Sequence, residues 1–326
     1  MTYLTLTDWK CLRLTSRSIY RRLSSLSSYS HLHPVILSPK SSFGVTLLEQ
    51  TPTIEGVDSL SLSNINQDQL KTLVETSEAF RFCLNQITGL SFAGSSTVID
   101  VRFFYHLLSH CSSLDKLDLS QFKFFFLSIN FSVNSPSFPS IKRLNLNANT
   151  HLSDYAFNRL IQSFPNLQDL HLLNIPLRSN TNPTEHRTFL TFENFCTFFQ
   201  KYQEQFQALS ISFEPSLPCD SQIKRLFLIV PPKLTYFHID GALTIFTFDH
   251  LLLLMDNHLE TLIVGRLILD SRGCEPLFAA INTYASNLKK LCIFLNTPLK
   301  LSSVQQTKLF AGRKLNDSNF EKIFLF

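Results

Sequence analysis

Leu114-Asp115-Lys116-Leu117-Asp118-Leu119 is followed by Ile141-Lys142-Arg143-Leu144-Asn145-Leu146, and this in turn by Leu167-Gln168-Asp169-Leu170-His171-Leu172. All three read apolar, two variable, apolar, one variable, apolar. The last two apolar positions sit two apart, so on an extended chain they point to the same side. One strand cannot bury such a row by itself. Copies laid side by side can, as a parallel sheet whose inner side packs against the segments between them.

The same hexapeptide recurs outward in both directions. Val57/Leu60/Leu62 and Ile87/Leu90/Phe92 precede it. Phe206/Leu209/Ile211, Leu234/Phe237/Ile239, Leu259/Leu262/Val264, Leu288/Leu291/Ile293 and Phe320/Ile323/Leu325 follow. A unit of about 20–29 residues with the signature LxxLxLxx(N/C)xL, one strand and one helical segment per unit, is the leucine-rich repeat. The longer spacings here match its helix-bearing variety. Between the hexapeptides, Asp68-Gln69-Leu70-Lys71-Thr72-Leu73 and Phe103-Phe104-Tyr105-His106-Leu107-Leu108 have helical spacing. So do the segment opened by Ser153 as N-cap and the one with Pro276 in its first turn. Ile223/Leu226/Leu228 fits the strand motif too, but it lies only 11 residues before Leu234 and reads as a helix from 223 to 230. The expected fold class is α/β: a leucine-rich-repeat solenoid of about ten repeats over residues 49–326, with a curved parallel sheet inside and helices outside. Residues 176–187 form a polar insertion, 122–138 lack a helix pattern, and 297–313 depart from the unit as a terminal cap does.

Composition limits the alternatives. Of 326 residues, 44% are hydrophobic and 17% charged, with 31 Phe and 8 Gly, which excludes an intrinsically disordered chain and a collagen-like fibre. The longest apolar runs fall short of the roughly 20 residues a membrane span needs. Met1 to Leu14 carries Asp8, Lys10 and Arg13, so no signal-peptide core is evident, and a cytoplasmic or nuclear location is expected. Seven cysteines without a CxxC pair read as reduced, packed thiols. Residues 1–48 hold Lys10, Arg13, Arg17, Arg21, Arg22 and Lys40 against Asp8 alone, and the rest of the chain is nearly neutral. A neutral bulk argues against nucleic acid as partner.

Residues 1–24 carry a helical pattern. Trp9, Leu12, Ser16, Ile19, Tyr20 and Leu23 share one face, while Lys10, Arg13, Arg17 and Arg21 form a basic stripe on another. Residues 25–48 are a Ser-rich linker or cap, in which Pro34-Val35-Ile36-Leu37 is a candidate first strand. The run Leu4-Thr5-Leu6-Thr7-Asp8-Trp9-Lys10-Cys11-Leu12-Arg13-Leu14-Thr15-Ser16-Arg17-Ser18-Ile19-Tyr20-Arg21-Arg22-Leu23 resembles the second half of an F-box. There, an acidic loop residue opens a helix reading Leu-x-Leu-x-Ser-(Arg/Lys). The opening Leu-Pro-x-Glu-(Ile/Leu) half has no counterpart here. Joined to the repeats, the chain resembles an F-box/leucine-rich-repeat protein, with residues 1–24 as an F-box-like helical remnant. That resemblance implies a substrate-recognition subunit of a Skp–cullin–F-box ubiquitin ligase. Residues 4–23 would meet a Skp-type adaptor and its cullin, with Trp9, Leu12, Ile19, Tyr20 and Leu23 as the adaptor-binding helix. The alternative is a stand-alone repeat scaffold with no ligase link.

No catalytic constellation is found. There is no GxGxxG, no GxxxxGK(S/T) and no GxSxG. His106 and His110 share a helix face beside Cys111, but Leu107 stands where HExxH has Glu, so they read as surface histidines. His31 and His33 are a weaker pair still. No metal site, no cofactor and no enzyme activity are expected. A ligand would sit on the outward residues between the strand leucines. In order these are Ser61, Ser91, Asp118, Asn145, His171, Ser210, His238, Ile263, Cys292 and Phe324, with outer neighbours Lys116, Arg143, Asn147, Asp169, Tyr236 and Asp240. Polar and of mixed sign in the middle, this concave strip suits a protein partner.

Overall fold

The computed structural model describes residues 35–36, 58–62, 67–93, 99–122, 136–177, 189–213, 220–228, 234–255, 258–269, 275–284, 288–295 and 322–325. Their elements run β1 (Val35–Ile36), β2 (Ser59–Ser61), α1 (Gln67–Thr76), α2 (Glu78–Gln86), β3 (Gly89–Ser91), α3 (Val101–Ser109), β4 (Lys116–Asp118) and β5 (Arg143–Asn145). Then come α4 (Asp154–Gln162), β6 (Asp169–Leu177), α5 (Phe192–Tyr202), β7 (Ala208–Phe213), α6 (Asp220–Phe227) and β8 (Tyr236–Thr244). The chain closes with α7 (Ile245–Met255), β9 (Thr261–Ile268), α8 (Glu275–Tyr284), β10 (Lys290–Leu295) and β11 (Lys322–Leu325). The class is α/β. One eleven-stranded sheet takes the strands in chain order, and every neighbouring pair is parallel.

The hexapeptides explain this order. Leu60, Leu90, Leu117, Leu144, Leu170, Leu209, Phe237, Leu262, Leu291 and Ile323 are partners along one register line. From Leu60 to Leu291 each is at most 2% exposed, and they join one continuous core with the apolar side chains of the helices. Alternate residues face the other way and are mostly half-buried or exposed. That second side is the open face. Burying one Leu stabilises by about 2 kcal/mol relative to leaving it in water, so a one-residue slip, which would turn the row outward, is strongly disfavoured.

Turns and caps repeat as the strands do. The first apolar residue of a hexapeptide donates its N–H back three residues, as in Leu114 to Cys111, Ile141 to Phe138 and Leu167 to Phe164. Ser77, Asp100 and Ser153 cap α2, α3 and α4 by accepting backbone N–H bonds from the first turn. The helices are also tied to one another at these ends. The Gln67 side chain accepts from Asp100 N, Asp154 accepts from Thr191 N and Oγ1, and Asp220 accepts from Thr244 N and Oγ1. In each case the first residue of one helix holds the cap of a later one. Gln121, Ala148 and Asn174 all have φ between 55° and 59°, and each lies three residues beyond its open-face residue Asp118, Asn145 or His171. At Gln121 and Ala148 this left-handed step follows the end of the strand, whereas at Asn174 it falls within β6, where the register with β7 shifts. The Asn149 side chain then donates to Leu119 O and Leu146 O, both at 2.7 Å, tying two neighbouring units.

The structure adds to the expected elements. Val35–Ile36 is indeed a strand, and the 223–230 segment is a helix shifted to Asp220–Phe227. Pro176 and Leu177 belong to β6, not to the polar insertion, because they pair with Ser212 and Phe213 after a register shift. The rest of the insertion, the helix of residues 1–24, the Ser-rich linker apart from β1, and 297–313 lie outside the described residues. Helices α2, α5 and α7 fill segments given no element from the sequence. In α5, Phe195, Phe198 and Phe199 are buried, with Phe199 stacked on Phe206 at 5.2 Å and Phe198 edge-on to Phe157 at 5.0 Å. Among the described residues no helix is long and apolar enough to cross a membrane.

Candidate functional site

Strand pairing sorts the open face into rows. One row is Ser61, Ser91, Asp118, Asn145, His171, Ser210, His238, Ile263, Cys292 and Phe324, each in register with the next. A second runs Ser59, Gly89, Lys116, Arg143, Asp169, Ala208, Tyr236, Thr261, Lys290 and Lys322. Asn147 and Asp240 lie two residues beyond Asn145 and His238, and Asp240 is in register with Ser212. Lys116, Asp118, Arg143, Asn145, Asp169, His171, Tyr236 and His238 thus fall in these two rows, with Asn147 and Asp240 just beyond them. The helix bearing Trp9, Leu12, Ile19, Tyr20 and Leu23 lies outside the described residues, as do His31 and His33.

At β4 to β6 the surface is charged. Arg143 Nε lies 3.4 Å from both Asp115 Oδ2 and Asp169 Oδ2, a fork joining three strands' worth of side chains. Arg143 remains 52% exposed, so each arm contributes about 0–1 kcal/mol and the fork mainly sets orientation. Burial raises the Asp169 carboxyl above its ordinary range against the opposing pull of Arg143 and His171. Asp118 accepts from Ser120 N and from the Ser91 hydroxyl. Asn145 accepts from Asn147 N, and Asn147 Oδ1 accepts from Leu173 N at 2.7 Å, which orients both amides.

At β6 to β8 the surface becomes aromatic. His171 Nδ1 shares a 2.7 Å hydrogen bond with Ser210 Oγ, and Tyr236 hydrogen-bonds the same serine. The His171 and Tyr236 rings meet edge to face at 6.1 Å, and Ser210 beneath them has no exposed surface. Burial lowers the His171 pKa against the charges of Asp169 and Asp118, and lowers that of His238 against Asp240. Both rings are thus biased to the neutral form. A serine, a histidine and a carboxylate stand together here, with the serine fully buried and hydrogen-bonded to both His171 and Tyr236. Deeper along β7, Ser212 Oγ bonds Asp240 Oδ2 and accepts from Asn174 N.

The outward position of Ser210 was readable from the hexapeptide, but its burial was not. Nor was the part played by Asn149, though it occupies the Asn position of the repeat signature. His106 and His110 do share a face, with ring centroids 4.9 Å apart. No third ligand joins them: among the described residues no group of three or more His, Cys, Asp or Glu could hold a metal ion. Cys83, Cys111 and Cys196 are buried, and burial pushes their thiols up to about 11, 12 and 11. Such thiols are poor nucleophiles near neutral pH. No family model and no curated protein matches this chain.

Proposed function

We propose that the chain is a leucine-rich-repeat solenoid that binds a protein partner on its concave sheet face without chemistry of its own. In this reading residues 4–23 connect it, F-box fashion, to a Skp-type adaptor and a cullin, so that the bound partner becomes a ubiquitination substrate. One observation carries the binding role. Nine outward residues, from Ser61 to Cys292, form a single register line across nine strands. A face this long, polar and regular suits an extended protein contact. It is not cationic enough to suit a nucleic-acid backbone, since Arg143 is tied up between two aspartates.

The test places a photo-crosslinking residue at Asn145, at His238 or, as a control on the helix side, at the exposed Tyr155 of α4. In cells, partner adducts are expected from the first two positions and not from the third. Adducts from Tyr155 alone would overturn the reading. The adaptor link is tested separately, by retention on an immobilised Skp-type adaptor and its loss on Trp9→Ala with Leu12→Asp. Partner capture without adaptor retention leaves the second reading, a stand-alone scaffold.

A further inference from the structure

We propose that the β9–β10 end of the open face seats a bulky apolar side chain from an acidic segment of the partner. This rests on the open face being the binding surface. From β2 to β8 the central row is hydroxyl, carboxylate, amide and imidazole. At β9 it changes to Ile263, half-buried, and at β10 to Cys292, half-buried and in register with it. Phe294, two residues beyond Cys292, emerges on the same side and is 42% exposed. Three apolar side chains thus adjoin at one end of a face whose central row is polar from β2 to β8. An apolar patch of this kind rimmed by polar groups marks a contact site.

Charge around the patch selects the partner. Lys290 lies two residues before Cys292, hence on the same face, and is exposed. It makes no ion pair among the described residues, whereas the adjacent Lys289 is taken by Glu260 at 2.8 Å. Register places Lys322 beside Lys290 on the next strand. On the other side, Asp240 leans over Gly265: a Cβ there would come within 2.7 Å of its Oδ1. An apolar residue seated on Ile263, Cys292 and Phe294 therefore has its favourable electrostatic neighbour at the Lys290 end, where a carboxylate fits. The patch spans neighbouring strands β9 and β10, which suits a chain laid across the strands. A cavity lies elsewhere, between α7 and α8, lined by Phe246, Asp249 and Thr283 among others.

Fluorescence anisotropy on the full chain tests this with three short labelled peptides. One has a central Leu-Phe flanked by Asp and Glu, one the same core flanked by Lys and Arg, and one acidic flanks around Ser-Ser. Binding of the first alone is expected. Ile263→Ser and Phe294→Ser should each weaken it about tenfold, and Lys290→Glu should weaken it likewise while admitting the basic peptide. Thermal melting by circular dichroism confirms that each variant is folded. Equal binding of the acidic and basic peptides, binding by neither, or indifference to all three substitutions overturns the seat. If the acidic peptide is instead displaced by Asn145→Lys, the open face binds but the seat is wrong. If only Leu253→Asp on α7 displaces it, both readings fall.

Discussion

The Nδ1 atom of His171 and the hydroxyl of Ser210 are 2.7 Å apart on neighbouring strands, and the Tyr236 ring closes the contact from the third. Burial holds both His171 and His238 below their ordinary value of 6.5. In the unfolded chain each binds its proton more readily than in the folded one. The stability gained from keeping them neutral is complete above pH 6.5 and is lost as pH falls through their lower folded values. The melting temperature is therefore expected to fall between neutral pH and about pH 5. The double variant His171→Asn with His238→Asn should flatten that slope in a scan by circular dichroism; an unchanged slope would show that other groups set it.

Asn149→Ala should destabilise the fold by about 1–3 kcal/mol, because two carbonyls lose a buried donor. Urea unfolding measures this. Asn149→Asp should be no better, since a carboxylate offers those carbonyls no N–H.

Gly265 and Gly89 should respond differently to alanine. At Gly265 the new Cβ would lie 3.0 Å from the Asp240 Cα, and backbone cannot step aside cheaply. At Gly89 its closest contact is the Ser59 hydroxyl at 2.5 Å, a rotatable side-chain end. Gly265→Ala is expected to cost about 1–3 kcal/mol. Gly89→Ala should cost less, and adding Ser59→Ala should recover most of it. Equal losses in denaturant unfolding would refute the distinction.

Ala148 carries a φ of 59° with a Cβ that this region disfavours. Ala148→Gly should raise stability by up to about 1 kcal/mol, since relief of the left-handed strain exceeds the added freedom of the unfolded chain. A loss of stability would show that the neighbouring packing of the methyl matters more.

Thiol labelling should follow burial. Cys292 should react with a maleimide in the native protein, while Cys83, Cys111 and Cys196 should wait for unfolding. Peptide mapping by mass spectrometry reads the order. Early labelling of Cys111, whose pKa is raised to about 12, would mean that α3 opens locally.

Much of the sheet was legible because the strand signal is doubled: each hexapeptide has a period of two and also recurs. Leu117, Leu144 and Leu170 announce their own partners, and from them the rows containing Asp118, Asn145 and His171 follow. The helices were less legible where periodicity fails. In α7, Ile245-Phe246-Thr247-Phe248 and Leu251-Leu252-Leu253-Leu254 are apolar on nearly every side, so no face stands out. The long strands β6, β8 and β9 run past their hexapeptides through register shifts that carry no mark in composition. Within the candidate site, the rows could be read but not the sealing of Ser210. That depends on how far two rings from adjacent strands reach sideways, which spacing along the chain does not encode.

A sheet whose strands stand in chain order has no long-range shortcuts. The ladder of β4 touches β3 and β5 and nothing else, so a lesion there can reach β10 only by passing through each interface in turn. Under the proposed binding role, the Arg143 fork and the Lys290 end can therefore diverge independently, like teeth filed separately on one key. Loss of the final units would blunt one end of the face and spare the other.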